Sequence, residues 1–399
     1  VSKTVLAPSL TPPAGPTAQP AAVPMLDFSR QYALIREEVL AAIEHVCDSQ
    51  KYILGEEVSS FEAAAAQYCN TSHAIGCASG TDALWLAMAA AEIGPGDAVI
   101  TTPFSFFASV SSILRCGAQP LLADIDTVSY NLDPAAVEKV LQSPAGRKVK
   151  AIMPVHLYGQ CADWDAFAAI KNRFGVLLIE DAAQAFGARW NGAAAGALGD
   201  AAAFSFYPTK NLSAYGDAGL VTTNNAALAE RASMLRAHGM RRRYYHDEVG
   251  WNSRLDTIQA AVLQVKLRYV QQWNEQRQQR AAHYNQLFRM AGLAAESIAE
   301  GVVLPLTHPK ASHVFHQYVV RVARRDELKA WLAEQKIGSE IYYPLSLHQQ
   351  TSLAALGYKT GDFPESERAA QEVLALPMYP ELRADEQERV VDAVLRFHQ

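Results

Sequence analysis

The sequence predicts an α/β protein: a large domain on a mostly parallel, seven-stranded sheet, followed by a smaller C-terminal α+β domain. Between residues 73 and 223, short apolar runs alternate with stretches of helical periodicity. Several of these runs lack polar alternation, as strands covered on both faces do. A chain of 399 residues is long enough for one large core and a smaller companion.

Residues 1–24 are rich in Pro, Ala, Ser and Thr and lack the charged-then-apolar order of a signal peptide, so a disordered leader is expected there. Met25 to Cys47 has helical spacing. The expected strands are His73–Cys77, Ala98–Thr101, Pro120–Ala123, Ala151–Val155, Val176–Glu180, Ala201–Phe206 and Leu220–Thr223. Expected helices between them include Thr81–Ala91, Ala135–Leu141 and Asp163–Phe174. One long helix is then expected from about Leu255 to Met290, with Val262, Val265, Tyr269 and Trp273 on one face. The large domain, 25–265, is expected to give way inside this helix to the small domain, 266–399. The last third reads as a strand at Val314–Val322, a helix starting near Asp326 and a final helix near Glu386–Phe397.

Half the residues are hydrophobic and 19% are charged, the profile of a globular protein. A formal net charge of -6 argues against nucleic-acid binding, which needs a basic face. No apolar run reaches the roughly 20 residues needed to span a bilayer. Cys47, Cys69, Cys77, Cys116 and Cys161 are scattered, odd in number and without CxxC spacing. Reduced thiols and a cytoplasmic location are therefore expected, with no zinc site. His313 and His316 fall on the approach to an expected strand, and nothing around them completes a metal site.

Four segments carry candidate chemistry, and each falls where an α/β sheet gathers ligands, beyond the carboxyl end of a strand. In Ala78-Ser79-Gly80-Thr81-Asp82-Ala83-Leu84, Gly80 permits close approach, and N–H groups opening a helix suit a phosphate. On its own this is equally an ordinary strand-to-helix turn. Glu180-Asp181-Ala182-Ala183-Gln184 follows an apolar strand, so Asp181 is either a helix cap or a buried carboxylate in need of a cation such as a pyridinium. In Ser205-Phe206-Tyr207-Pro208-Thr209-Lys210, the lysine follows a buried strand. It either snorkels to solvent or sits in a low-dielectric pocket that favours its nucleophilic neutral form. Thr102-Pro103-Phe104-Ser105-Phe106 offers rings that stack on a planar heterocycle or belong to the core. Together the four supply what pyridoxal phosphate requires: a phosphate cradle, an acid for the ring nitrogen, a lysine for the aldehyde and a stacking ring.

The sequence also resembles the DegT/DnrJ/EryC1/StrS sugar aminotransferases from about Leu26 to the C-terminus. The resemblance runs through Tyr52-Ile53-Leu54-Gly55, Ser79–Leu84, Gly94-Pro95-Gly96-Asp97 and Tyr130-Asn131-Leu132-Asp133-Pro134. It continues through Pro154–Gln160, Glu180–Ala185, Ser205–Leu212 and Gly250-Trp251-Asn252-Ser253-Arg254-Leu255-Asp256. It implies an aspartate-aminotransferase-like fold, fold type I, and a homodimer with shared active sites. It also implies transfer of an amino group from an amino acid, glutamate by resemblance, to a nucleotide-linked keto-sugar. By the same resemblance Lys210 forms the internal aldimine and shuttles the proton, and Asp181 pairs with the pyridinium. Gln184 lies near the cofactor's hydroxyl and Phe106 stacks on its ring. Backbone groups of Gly80, Thr81 and Asp82, with the Ser205 hydroxyl, hold the phosphate. Asn252 reaches it from the neighbouring subunit, and Arg254 and Tyr343 match positions that meet the sugar nucleotide. The Tyr158-Gly159-Gln160 segment resembles members acting on 3-keto rather than 4-keto sugars. One departure is Tyr342 before Tyr343-Pro344, where the family often has His.

A sugar dehydratase is disfavoured by the presence of Lys210 and the lack of cluster-type cysteine spacing. A cofactor-binding regulator is disfavoured by the absence of a DNA-binding module or extended basic patch. Arg241-Arg242-Arg243 reads as a solvated loop or as an attractor of the anionic substrate.

Overall fold

The computed structural model describes residues 21–399, and a seven-stranded sheet organises it. In spatial order its strands are His73–Cys77, Gly219–Thr223, Ala201–Ser205, Leu177–Asp181, Val149–Ile152, Ala98–Thr101 and Gln119–Leu122. All pair in parallel except Gly219–Thr223, which runs antiparallel to both neighbours. A parallel return from Ala201–Ser205 would need a crossover element. The chain between these two strands instead folds into a tight loop, closed by Phe206 N–H to Ala218 O (2.8 Å) and Ala214 N–H to Phe206 O (2.8 Å). Lys210 stands on that loop. Because His73–Cys77 is antiparallel to the reversed strand, it points the same way as the parallel five. The loops after Cys77, Thr101, Asp181 and Ser205 therefore emerge at one edge.

The sheet is covered on both faces, which explains its continuous apolar runs. Ala98, Ile100, Leu178, Ala202 and Phe204 face one core with Phe61, Trp164, Phe167 and Phe186. Their neighbours Val99, Ile179, Ala201 and Ala203 face the other, with Leu84, Trp85, Met88 and Leu235. Successive residues of a strand point to opposite faces, so neither set has a polar alternative. A separate core collects Tyr284, Phe288, Tyr318, Leu328, Leu376 and Val390 from the C-terminal third.

Three expectations need correction. The long helix is two, Thr257–Leu267 and Val270–Met290, separated at Arg268 and Tyr269, the latter with a widened φ of -103° and ψ of -14°. No Gly or Pro marks the break. The first helix packs on Phe28–Ser49 and Glu56–Cys69, the second on Ala384–His398, and Arg268 and Tyr269 both bind Glu38 at the junction. The strand expected from Val314 begins only at Tyr318. Phe315 is left-handed (φ 42°) and its N–H bonds the His313 ring, so 313–316 is a turn. Finally, Val23, within the stretch expected to be a leader, is buried in the C-terminal core and accepts from Gly338 N–H at 2.8 Å. Residues 1–20 of that expected leader lie outside the described residues.

Lys266, near the end of its helix, clamps the reversed-strand loop from below: its Nζ donates to Ser213 Oγ at 2.5 Å. The side chain is fully buried, and burial pulls its pKa down to about 7 against the opposing field of Glu381. The unfolded chain keeps this amine protonated up to its ordinary value of 10.5. Between about pH 7 and 10 the unfolded state thus binds the extra proton, and stability rises with pH. In urea unfolding at pH 7 and at about pH 9.5, Lys266→Met is expected to show a smaller rise than the parent. Equal rises would show that Lys266 keeps its proton in the folded state.

Candidate active site

The helix Gly80–Ala90 begins against the loop edge of the sheet. Ser79 caps it, its Oγ accepting the Asp82 N–H at 3.1 Å. The N–H groups of Gly80 and Thr81 open the first turn, where the helix offers no acceptor. Gly80 lies so close to Ser205 that a Cβ there would stand 2.5 Å from the Ser205 Cβ. Helix N-terminus and Ser205 thus adjoin, and both carry hydrogen-bonding groups. Asp82 departs from its expected part, because its N–H is given to Ser79 and its carboxylate pairs with Arg115.

Asp181 ends the strand Leu177–Asp181 and is buried. Its Oδ2 accepts from Ser109 Oγ at 2.7 Å and its Oδ1 from Ala183 N–H at 3.3 Å. Burial nevertheless holds its carboxyl above the ordinary range, outweighing those bonds and the fields of Lys210 and His156. A buried carboxylate in this condition has room for a cationic partner.

Lys210 is partly accessible at the mouth of its loop, yet surrounding protein pulls its amine down to about 8, with the Asp181 charge opposing. That is the direction imine chemistry needs. The loop is fixed on both sides of the lysine. Lys210 N–H bonds Tyr207 O at 2.8 Å, and buried Asn211 donates to Asn274 Oδ1 at 2.7 Å and Val314 O at 3.0 Å.

The aromatic loop after Thr101 divides its rings. Phe104 is buried, whereas Phe106 is 60% exposed, its centroid 6.4 Å from that of Tyr343. Gln184 joins this wall: its Oε1 accepts from Tyr158 N–H at 2.6 Å, and its Nε2 donates to Tyr343 Oη at 3.1 Å. Burial raises the Tyr343 phenol well above its usual value, and Asp181 adds to the rise, which places Tyr343 within the carboxylate's field.

One chain therefore brings together Gly80, Thr81, Ser205, Asp181, Lys210, Gln184, Phe106 and Tyr343. Asn252 and Arg254 stand apart. Asn252 is exposed and bridges to Ala237, and Arg254 is half-buried with its Nε unpartnered. Among the described residues neither makes a hydrogen bond or ion pair to Gly80, Asp181, Ser205 or Lys210. Sequence reasoning missed Ser109, Asn211 and His316. Ser109 lies three residues beyond Phe106, and nothing in the pattern separates it from the neighbouring serines Ser105, Ser111 and Ser112.

Pyridoxal phosphate fits these residues: N–H groups and a hydroxyl for its phosphate, a buried carboxylate with acceptor capacity to spare, an amine of lowered basicity and an exposed ring. The DegT/DnrJ/EryC1/StrS aminotransferase family model matches residues 33–395. The chain belongs to this family. It is accordingly an aminotransferase, with pyridoxal phosphate as its cofactor. It is 49% identical over 94% of its length to a "pleiotropic regulatory protein" of Geobacillus stearothermophilus, of which 98% is covered. It is 43% identical to the dTDP-3-amino-3,4,6-trideoxy-alpha-D-glucose transaminase of Streptomyces venezuelae, covering 93% of this chain and 95% of that one. A crystal structure of S. venezuelae DesV in complex with a ketimine intermediate superposes with a TM-score of 0.90 at 42% identity, over 95% of this chain and 99% of that chain. Among the described residues no helix is long and apolar enough to cross a membrane.

The Gly80 contact gives a direct test. A methyl group at Gly80 must push Ser205 away, so Gly80→Ala is expected to cost roughly 1–3 kcal/mol in urea unfolding. It should weaken pyridoxal phosphate binding in equilibrium dialysis as well. Unchanged values for both would refute the cradle.

Proposed function

We propose that this aminotransferase moves an amino group from glutamate to the 3-keto position of a nucleotide-linked hexose, in a homodimer whose chains share each active site. The acceptor class, a nucleotide-linked keto-sugar, is that of its family relatives, and the 3-amino product named for the S. venezuelae relative supports the 3-keto position. The observation that carries the reading is the pair Asp181 and Lys210, both largely withdrawn from water at the ends of adjacent strands, each perturbed toward a task. A purely binding role makes no use of an amine held at about 8.

Bound pyridoxal phosphate supplies an aldehyde that carries the amino group and a ring that draws electrons from the reacting carbon. Asp181 holds the proton on the ring nitrogen, and Ser109 keeps that carboxylate oriented. Gly80, Thr81 and Ser205 bind the phosphate through N–H and O–H donors. Phe106 covers the ring and keeps water from one face. Lys210 Nζ would hold the cofactor's aldehyde and, as a free amine, would accept and return the proton that moves in the reaction. Tyr343 and Arg254 are assigned to the sugar nucleotide, and Asn252 to the phosphate in the partner's site. The dimer is supported by the exposed apolar residues Tyr52, Ile53, Leu54 and Trp251 and by the separation of Asn252 from the Lys210 loop in one chain. The break at Arg268–Tyr269 supports a domain boundary near residue 265. The free cysteines are consistent with a cytoplasmic location.

Borohydride reduction of the holoenzyme followed by peptide mapping is expected to place the pyridoxyl label on Lys210, and Lys210→Ala to abolish turnover. A label on any other lysine overturns the assignment. Glutamate should bleach the visible band of the wild-type enzyme, and no response to glutamate would exclude it as donor. Shared sites make a separate claim. Mixing inactive Lys210→Ala with inactive Asn252→Asp chains should restore about a quarter of wild-type activity, the share that random pairing in a two-fold dimer gives. No recovery after demonstrated subunit exchange would place Asn252 in its own chain's site.

A further inference from the structure

Next to Lys210 stands a buried polar assembly that the chemistry above does not use. Asn211 spends both amide hydrogens, one on Asn274 Oδ1 (2.7 Å) and one on Val314 O (3.0 Å). Its Oδ1 is therefore an acceptor, and it lies 3.2 Å from His316 Nδ1. The hydrogen between them belongs to His316, so the imidazole is the Nδ1–H tautomer. His316 is itself held by its backbone. Buried Arg277 donates from Nη1 to the carbonyls of Phe315 (3.2 Å), His316 (3.3 Å) and Met378 (3.1 Å). Val314 N–H closes the turn on Gly159 O at 3.0 Å.

We propose that His316 is a positioning residue: through its Nδ1–H bond to Asn211 it fixes the Lys210 loop and couples the lysine to the C-terminal part of the chain. The charged and titratable groups facing His316 are Lys210 on the sheet side, itself in the field of Asp181, and Arg277 and His313 on the other. Burial, reinforced by the positive charges of Lys210 and Arg277, holds His316 neutral well below its usual range. It therefore donates one hydrogen at every pH at which the enzyme works and adds no charge beside the amine. A protonated imidazole there would repel the ammonium form of Lys210 and make its basicity depend on a second titration. A neutral ring fixes geometry without that coupling. Arg277 carries the constraint from helix Val270–Met290 to the turn, His316 from the turn to Asn211, and the peptide bond from Asn211 to Lys210.

The inference rests on Lys210 being the lysine that holds the cofactor, and the experiment separates the two. The full chain, stripped of cofactor, is mixed with pyridoxal phosphate across a pH series, and covalent capture is followed by absorbance. Wild type should show a midpoint near the amine's value of about 8. His316→Leu removes the donor, frees the loop and admits water to Lys210. Its midpoint should move to higher pH by about one unit, a roughly tenfold slower capture at pH 7. His316→Asn offers an N–H at the Nδ1 position and should keep capture within about twofold of wild type. A merely structural histidine would lower the melting temperature without moving the midpoint. An unmoved midpoint in His316→Leu overturns the proposal, as does an equal displacement in His316→Asn. If His316→Leu does not fold, His316→Asn decides alone: a wild-type midpoint supports the proposal and an alkaline one overturns it. A borohydride label away from Lys210 in wild type would instead sink the assignment of Lys210 itself.

Discussion

A carboxylate and an amine withdrawn from water make opposite demands on the protein around them. Burial drives Asp181 toward its neutral acid and Lys210 toward its neutral amine, while each charge would favour the other's ionised form. The fold holds both in this intermediate condition by placing them at the ends of neighbouring parallel strands and giving them few other partners. A closer pair would settle into a salt bridge, which keeps the amine protonated and the carboxylate ionised. The seven-stranded sheet, the reversed strand that sends the Lys210 loop back to the edge, and the Lys266–Ser213 clamp beneath it all act to fix this separation.

Glu180 shows what the same sheet does with a carboxylate that has no task. It precedes Asp181 and points to the opposite face, equally buried. Its Oε1 accepts from Leu198 N–H (2.9 Å) and Gly199 N–H (2.8 Å), its Oε2 from Gly196 N–H (2.7 Å) and from His156 Nε2 (3.0 Å). Ala162 N–H donates to His156 Nδ1, which fixes the hydrogen on Nε2 and completes the set. Four donors leave Glu180 nothing to offer a ligand. Asp181 has Ser109 and one long backbone bond, and its remaining capacity faces the site. The difference between structural and functional acid lies in the count of donors, not in burial.

That difference was not legible in the residues themselves, since Glu180 and Asp181 adjoin in the same apolar frame. The sequence located the strand end and the need for a partner, because a charge after Val176-Leu177-Leu178-Ile179 is costly wherever it points. Which of the two carboxylates is satisfied depends on the start of helix Ala108–Arg115 and on loop 196–199, which meet them only in three dimensions. The same holds for His316, whose spacing from Lys210 carries no period. Strand positions were readable to within a few residues because two-sided burial leaves an apolar run. The direction of Gly219–Thr223 was not, because an apolar run is the same for either direction. The break at Arg268–Tyr269 lacks Gly or Pro and arises where two helices serve different cores, a tertiary cause with no local sign.

In the proposed dimer, a second chain would answer a need in the electrostatics of the phosphate cradle. Gly80, Thr81 and Ser205 offer dipoles rather than charges. Arg115, paired with Asp82 of the cradle helix, is taken up by that carboxylate and lies over the Trp85 ring at 4.7 Å. A cofactor phosphate beside a substrate diphosphate concentrates negative charge that dipoles alone hold weakly in a protein of net charge -6. Among the described residues, the segment from Arg241 to Arg254 carries arginines that could answer it, although Arg241 already pairs with Glu230 (3.4 Å) and Asp247 (3.5 Å). Arg241–Arg243 are exposed, and Arg254 has an unpartnered Nε. That segment also carries Asn252, and in its own chain it bonds to none of the cradle residues. A two-fold partner that brings this segment to the cradle would supply charge where the first chain has only dipoles, and would make cofactor retention depend on assembly.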